Sequence, residues 1–289
     1  MKQQKNKKKS SKWFGILLVV IGLLVVSYPV IAQAWNRGKH TVATVDYDNT
    51  TQAMSDEDIE SYLGAADAYN DKLQTLEYPL VNAAAADGYD DLLNVMGNGI
   101  MGYIEIPAID VRVPIYHYAD ATSISEGVGH MVGTSLPVGG EGTHAVLSSH
   151  TGMPSARLFT DLPKLKVGDI FTITVLNRKC TYRIDQIETV LPTETDPFET
   201  IDPNGDYVTL VTCVPYGINT HRLLVRGTRV DGVDATSAVL RADYRWIRIL
   251  FVTGVVALAV VSVWQGLIIY AEHTDKRRNA KHNHDGRSV

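Results

Sequence analysis

The chain is 289 residues long, 45% hydrophobic, and carries 27 Lys+Arg against 32 Asp+Glu for a formal charge of −5. That average conceals two cationic ends: without the eleven cations and three acids of residues 1–12 and 271–289, sixteen basic and twenty-nine acidic residues remain, a charge of −13. Such an acidic body lacks the basic footprint of a nucleic-acid-binding protein, while its apolar content is ample for one or two packed domains.

Residues 1–12, "MKQQKNKKKSSK", form a basic tail. Residues 13–34 follow, with no charge from Trp13 to Ala32, long enough for a membrane-spanning helix. A second apolar run covers 249–270, and a basic tail, 271–289, ends the chain. Cations cluster outside both runs, so the positive-inside rule predicts two cytoplasmic tails, a two-pass membrane protein and an exported body of about residues 35–245. The alternative for the first run is a cleaved signal peptide, because "AQA" at 32–34 has the small-x-small form of a cleavage site. Either way the middle of the chain is exported.

Residues 35–98 read as a helical leader. Ser55 is the expected N-cap of a helix with acids in its first turn, apolar residues at Ile59, Leu63, Ala66, Tyr69 and Leu73, and a stop at Pro79. "NAAAADGYDDLLNVMGNG" reads as a second short helix ended by glycine. From residue 99 to 232 the texture changes to short β-branched runs between Gly, Pro and Asn: "IMGYIEIPAIDVRVPIYHY", "THAVLSSH", "DIFTITVL", "KCTYRIDQIETV", "DYVTLVTC" and "HRLLVRGTRV". That pattern predicts an all-β barrel or sandwich of about seven or eight strands. Residues 233–248 are a spacer to the second apolar run.

Chemistry concentrates around two cysteines. Alternation in "RKCTYRID" makes Cys180 an inward-facing strand residue, whereas Cys213 ends a strand, meets a Pro-Tyr-Gly turn, and is followed nine residues later by Arg222. A thiol becomes a nucleophile when a neighbouring imidazolium lowers its pKa. His150 stands where a strand meets a loop, the usual address of site residues on a β scaffold. His144 reads as a structural, hydrogen-bonding residue, and His221, adjacent to Arg222, points to the opposite strand face. Spacing thus points to Cys213, His150 and Arg222, beside the plainer reading of a buried cysteine and a surface arginine. A 180–213 disulfide is the other option in an exported domain. No metal-ligand spacing occurs.

"TLVTC" followed by Arg222, with "SSHTG" upstream, resembles the sortase family of Gram-positive cysteine transpeptidases over about residues 60–230. The longer stretches "GVGHMVGTSLPVGGEGTHAVLSSHTGMPSARLFTDL" and "TLVTCVPYGINTHRLLVRG", with the leader and the second apolar run, are similar to the pilus-assembling class, class C. The resemblance implies a mainly β fold: a sortase-type closed β-barrel of about eight strands with short helices, a helical N-terminal leader, and a transmembrane helix near each end. It also implies an enzyme that cleaves a Leu-Pro-x-Thr-Gly-like signal between Thr and Gly, with Cys213 as nucleophile, His150 as general acid/base and Arg222 as oxyanion donor. Partners would be secreted pilin or surface proteins bearing a C-terminal sorting signal and an amine acceptor, a pilin lysine; neither cofactor nor metal is implied. Two alternatives stand beside this: a housekeeping sortase attaching proteins to cell-wall peptide, and a membrane-tethered β-barrel binding module with a structural cysteine. The pilus class often carries an Asp-Pro-aromatic lid over the cysteine. Here the leader has Glu77 followed by Tyr78, Pro79 and Leu80, which predicts either a weak, readily opened lid or a helix-to-helix connection that never approaches the site. The "DPF" of residues 196–198 lies between late strands and is not that lid.

Overall fold

The computed structural model describes residues 4–82, 85, 87–194 and 202–232, with isolated positions between 253 and 274. The chain divides into two compact units, Met1–Tyr28 with Asp243–Val289, and Pro29–Ala242. In the first, the described backbone is the start of helix α1 (Gln4–Gln52) and isolated helical positions from Thr253 to Thr274. Among the described residues no helix is long and apolar enough to cross a membrane. The expected 13–34 span falls within α1, whose side chains are described from Val20 onward. Most of the expected 249–270 span lies outside the described residues.

In the second unit α1 continues from Pro29 and then gives way to α2 (Asp56–Gln74). Ser55 caps α2 as expected, its hydroxyl accepting from the Asp58 amide at 3.1 Å. The buried face is Ile59, Leu63, Ala66, Tyr69, Asn70 and Leu73. Asn70 adds a polar tether, its side-chain oxygen accepting from the Leu136 amide at 2.7 Å. Two expectations need correction. The helix ends at Gln74, before Pro79 is reached. Among the described residues of the second leader segment no α-helix forms: Ala85 and Tyr89–Asp91 are 3-10, and Gly88 between them turns left-handed (φ 73°) and sends Tyr89 inward. There the Tyr89 hydroxyl meets His130 Nδ1 at 2.6 Å.

Eight strands follow: β1 (Ile100–Ile106), β2 (Val111–Tyr116), β3 (Val128–His130), β4 (Thr143–Ser148), β5 (Ile170–Val175), β6 (Arg178–Val190), β7 (Asp206–Val214) and β8 (His221–Arg229). A four-residue helix, α3 (Ser123–Glu126), precedes β3. The strands close into a barrel in the order β1-β2-β3-β4-β7-β8-β6-β5, as expected for eight strands. Closure rests on antiparallel β1–β5 pairing, and β2–β3 and β4–β7 are the parallel joins. Period-two alternation fills the interior with Ile104, Ile106, Leu147, Phe171, Ile173, Tyr182, Leu210 and Val225. Cys180 belongs to this inward set.

His130 is wholly buried on β3. The Ser135 carbonyl can only accept, so Nε2, 2.8 Å away, carries the proton and Nδ1 accepts from Tyr89. Desolvation of the charged ring pushes its pKa down to about 4. A histidine with a depressed folded pKa stabilises the fold above its unfolded pKa, and that contribution is lost as pH falls through the folded value. Thermal melts should therefore show stability declining from about pH 6.5 towards pH 4, by about 3 kcal/mol from this ring. His130→Gln, which has no titrating ring, should lose that part of the pH dependence; an unchanged slope would refute the assignment.

Candidate active site

β4 and β7 run parallel in one register, from Thr143 beside Asp206 to Ser148 beside Val211. The pairing continues past the end of β4: the Ser149 amide donates to the Val211 carbonyl at 3.1 Å, and the Thr212 hydroxyl donates to the Ser149 carbonyl at 2.9 Å. Carried one residue further, the register sets His150 beside Cys213. On the other side of β7, antiparallel pairing sets Cys213 opposite Arg222 on β8. Residues paired across neighbouring strands project from the same face. Cys213 and Arg222 are thus cross-strand partners on β7 and β8, and the β4–β7 register extended past Ser148 brings His150 into line with them; all three are half-buried.

The row lies on the outer face of the barrel. Ala145 and Leu147, Val208 and Leu210, and Leu223 and Val225 point into the main core. The alternate residues Val146, Val211 and Leu224 form a separate apolar cluster, joined by Leu80, Met131 and Val190. This cluster floors the surface beside the row, and the sequence reading had missed it. Its signal was present: both faces of these strands carry apolar residues where a solvated outer face would alternate with polar ones.

The site's loops meet across the row. The β7–β8 turn carries exposed Tyr216 and Ile218. The Tyr216 ring lies so close to Gly152, in the loop after His150, that a Cβ there would sit 3.1 Å from it. Arg222 Nη1 donates to the carbonyls of Asn219, at 3.3 Å, and His221, at 3.2 Å. The neighbouring arginines are committed elsewhere. Arg226 donates twice to Asp185, at 3.1 and 2.8 Å, and covers the Tyr207 ring; Arg229 pairs with Asp206 and Asp231.

The other candidates sort by environment. Both cysteines are free thiols. Cys180 is only 1% exposed inside the barrel, its thiol donates to the Val138 carbonyl at 3.4 Å, and burial pushes its pKa up. Cys213 stands on the outer face, so the two sulfurs occupy opposite sides of the wall. His144 is buried, with Nε2 2.8 Å from the Thr209 hydroxyl. His221 pairs with Val214, one position off the row and so on the other face. A cavity of about 440 Å³ opens near Asp90, His117 and Glu126, and none of its lining residues belongs to the row.

The leader crosses the same outer face. A Cβ on Gly133 (φ 86°) would lie 2.4 Å from the Pro79 carbonyl oxygen, so only glycine allows this approach. Leu80 packs on Val146, Val211 and Leu224. Tyr78, by contrast, is 63% exposed and turns away. Residues 196–198 lie outside the described residues.

The family model for the sortase domain matches residues 104–230. Sortase A of Bacillus anthracis is 25% identical over 231 residues, covering 78% of this chain and 97% of that protein. Sortase A of Streptococcus agalactiae is 27% identical over 223 residues, 72% of this chain and 83% of that one. Among solved structures, sortase C1 from Streptococcus agalactiae is 42% identical with a TM-score of 0.63, covering 66% of this chain and 99% of that one. Sortase C of Clostridium perfringens, solved with the C-terminal cell wall sorting motif, is 41% identical with a TM-score of 0.57, again covering 66% and 99%.

Proposed function

The chain belongs to the sortase family of cysteine transpeptidases, and from that premise we propose that His150, Cys213 and Arg222 carry its reaction, on a Leu-Pro-x-Thr-Gly-like signal. The observation that supports this most is the register: Cys213 pairs with Arg222 across β7 and β8, and the β4–β7 pairing, extended past the end of β4, leads to His150. The Cys213 thiolate attacks the Thr carbonyl, and the Arg222 guanidinium, always charged, donates to the oxyanion. His150 as imidazolium protonates the departing glycine amine as the C–N bond breaks. An incoming amine then attacks the thioester, its proton passes to His150, and the Cys213 thiolate leaves.

The acceptor in this reading is a pilin lysine. Identity of 42% to a sortase C1 against 25% and 27% to two Sortase A proteins favours the pilus class over the housekeeping alternative. A non-enzymatic binding module does not fit a member of a transpeptidase family. The basic tails and apolar runs support membrane anchoring, with both termini cytoplasmic and residues 35–245 outside.

The lid reading changes its principal residue. Leu80 rather than Tyr78 covers the apolar floor beside Cys213. A half-buried leucine holds such a cover by about 1 kcal/mol, which keeps the lid weak.

Four outcomes test this. Mass spectrometry of the protein with a sorting peptide should detect a thioester that Cys213→Ala abolishes and Cys180→Ala retains. Arg222→Lys should lose at least about tenfold in turnover, one lost oxyanion donor costing roughly 10²–10³, while Arg226→Ala should lose far less; equal losses would mean that charge rather than position matters. For topology, protease added outside wall-stripped cells should digest the body and spare a C-terminal tag, and a digested tag overturns the two-pass reading. For the lid, Leu80→Ala should speed Cys213 alkylation by about three- to tenfold and Tyr78→Ala by less than about threefold. A hundredfold rise would mean tight closure, and no change at Leu80→Ala would mean no lid.

A further inference from the structure

From Gln33 to Thr51, helix α1 presents a polar stripe at helical spacing: Gln33, Asn36, Arg37, His40, Thr44, Tyr47, Asp48 and Thr51. Its lower half is an ordinary docking face. Buried Tyr47 donates to the Met101 carbonyl and accepts from the Leu176 amide, both at 2.9 Å, and Asp48 pairs with Arg112 at 3.0 Å. Its upper half does something different. Gln33 Nε2 donates to the Pro154 carbonyl at 3.2 Å, and Asn36 Nδ2 donates to the Ser155 carbonyl at 2.9 Å. Pro154 and Ser155 are the tip of the loop that leaves His150.

The base of that loop is held by the Gly152 amide, which donates to the Thr160 hydroxyl at 3.0 Å, and by Ala156 and Leu158, buried in the main core, whereas Pro154 at the tip is exposed. The loop's neck closes where the Phe159 amide donates to the His150 carbonyl at 3.2 Å. Pro154 has no N–H with which to make a turn bond of its own. Two carboxamides one helical turn apart supply donors to two consecutive tip carbonyls, with no charge introduced beside the site. The residue before His150 is held as well: the Ser149 hydroxyl donates to the Gly127 carbonyl at 2.5 Å, directly after α3. His40 on the same stripe reaches the backbone of Glu126, the last residue of α3. His150 is therefore suspended between two anchors, and one face of α1 touches both.

We propose that Asn36, with Gln33, is a positioning residue for His150: the two carboxamides of α1 fix the loop tip and so hold the imidazole in the row with Cys213. The proposal rests on the reading of His150 as the acid/base. Neither residue touches the reacting atoms.

The test uses the full-length chain with a sorting peptide, reading kcat and KM for thioester formation. The double variant Gln33→Ala/Asn36→Ala should lower kcat about tenfold and leave KM within about twofold, the signature of a misplaced catalytic group rather than lost binding. Asn36→Gln, which keeps the donor, should retain most of the rate. Asp48→Asn weakens the docking of the same helix far from the loop and should leave kcat unchanged. If the double variant folds poorly, Asn36→Asp keeps the shape, removes the donor and should show the same loss. A kcat within about twofold of the parent when the donors are removed overturns the proposal, and so does an equal loss at Asp48→Asn. A parent chain that forms no thioester, or His150→Ala with full kcat, overturns instead the underlying assignment of His150.

Discussion

Parallel pairing of β4 with β7 runs without a break from Thr143 beside Asp206 to Ser148 beside Val211 and then on through Ser149. Everything in the site depends on that register. A slip of one residue would turn His150 to the opposite side of the wall, because side chains alternate with a period of two. The same slip would bury Val146 where Leu147 belongs and expose the core. The energy that holds the proposed catalytic row in line is thus the energy of the barrel interior, and the candidate site needs no separate scaffold. On the other edge of β7, antiparallel pairing delivers Arg222 by the same arithmetic.

The barrel wall separates two chemistries available to one residue type. Cys180 faces inward among apolar side chains, its thiol spent on the Val138 carbonyl and its ionisation opposed by burial. Cys213 faces outward at a strand end, half-buried, in line with a histidine and an arginine. A thiolate is the reactive form, and at Cys180 burial suppresses it despite the opposing pull of Arg229 and Arg178. Strand parity decides which cysteine faces the core and which the outer face of the barrel. The histidines divide in the same way: His130 and His144 are consumed by buried hydrogen bonds, whereas His150 stands at the strand end facing the row.

The leader acts as more than a linker. Asn70 of α2 binds the Leu136 backbone, Tyr89 reaches His130, Leu80 lies on the outer apolar cluster, and α1 grips the loop beyond His150. Each contact falls on the β3–β4 side of the barrel or its loops. That side carries the parallel joins β2–β3 and β4–β7, which need long connections. Of the leader's contacts, those of Gln33 and Asn36 satisfy backbone carbonyls in the long crossover from β4 to β7, and that of Asn70 satisfies a backbone amide between β3 and β4.

Local signals were strong enough to read without coordinates. Period-two alternation marked seven of the strands, Ser55 with three following acids marked the start of α2, and the strand-end contexts of Cys213 and His150 marked the site. Three-residue β3 escaped notice because Val128–His130 is too short to show a period. The end of α2 at Gln74 and the loss of the second leader helix were equally hidden, since Tyr89 leaves the helical path for a distant histidine. The outer cluster under Leu80 and the grip of Gln33 and Asn36 are contacts between segments far apart in the chain, and nothing adjacent in sequence specifies them. Residue types and local periodicity could announce a thiol, an imidazole and a guanidinium on a β scaffold. That they stand in one row is a property of strand register, which non-local packing sets only once the barrel closes.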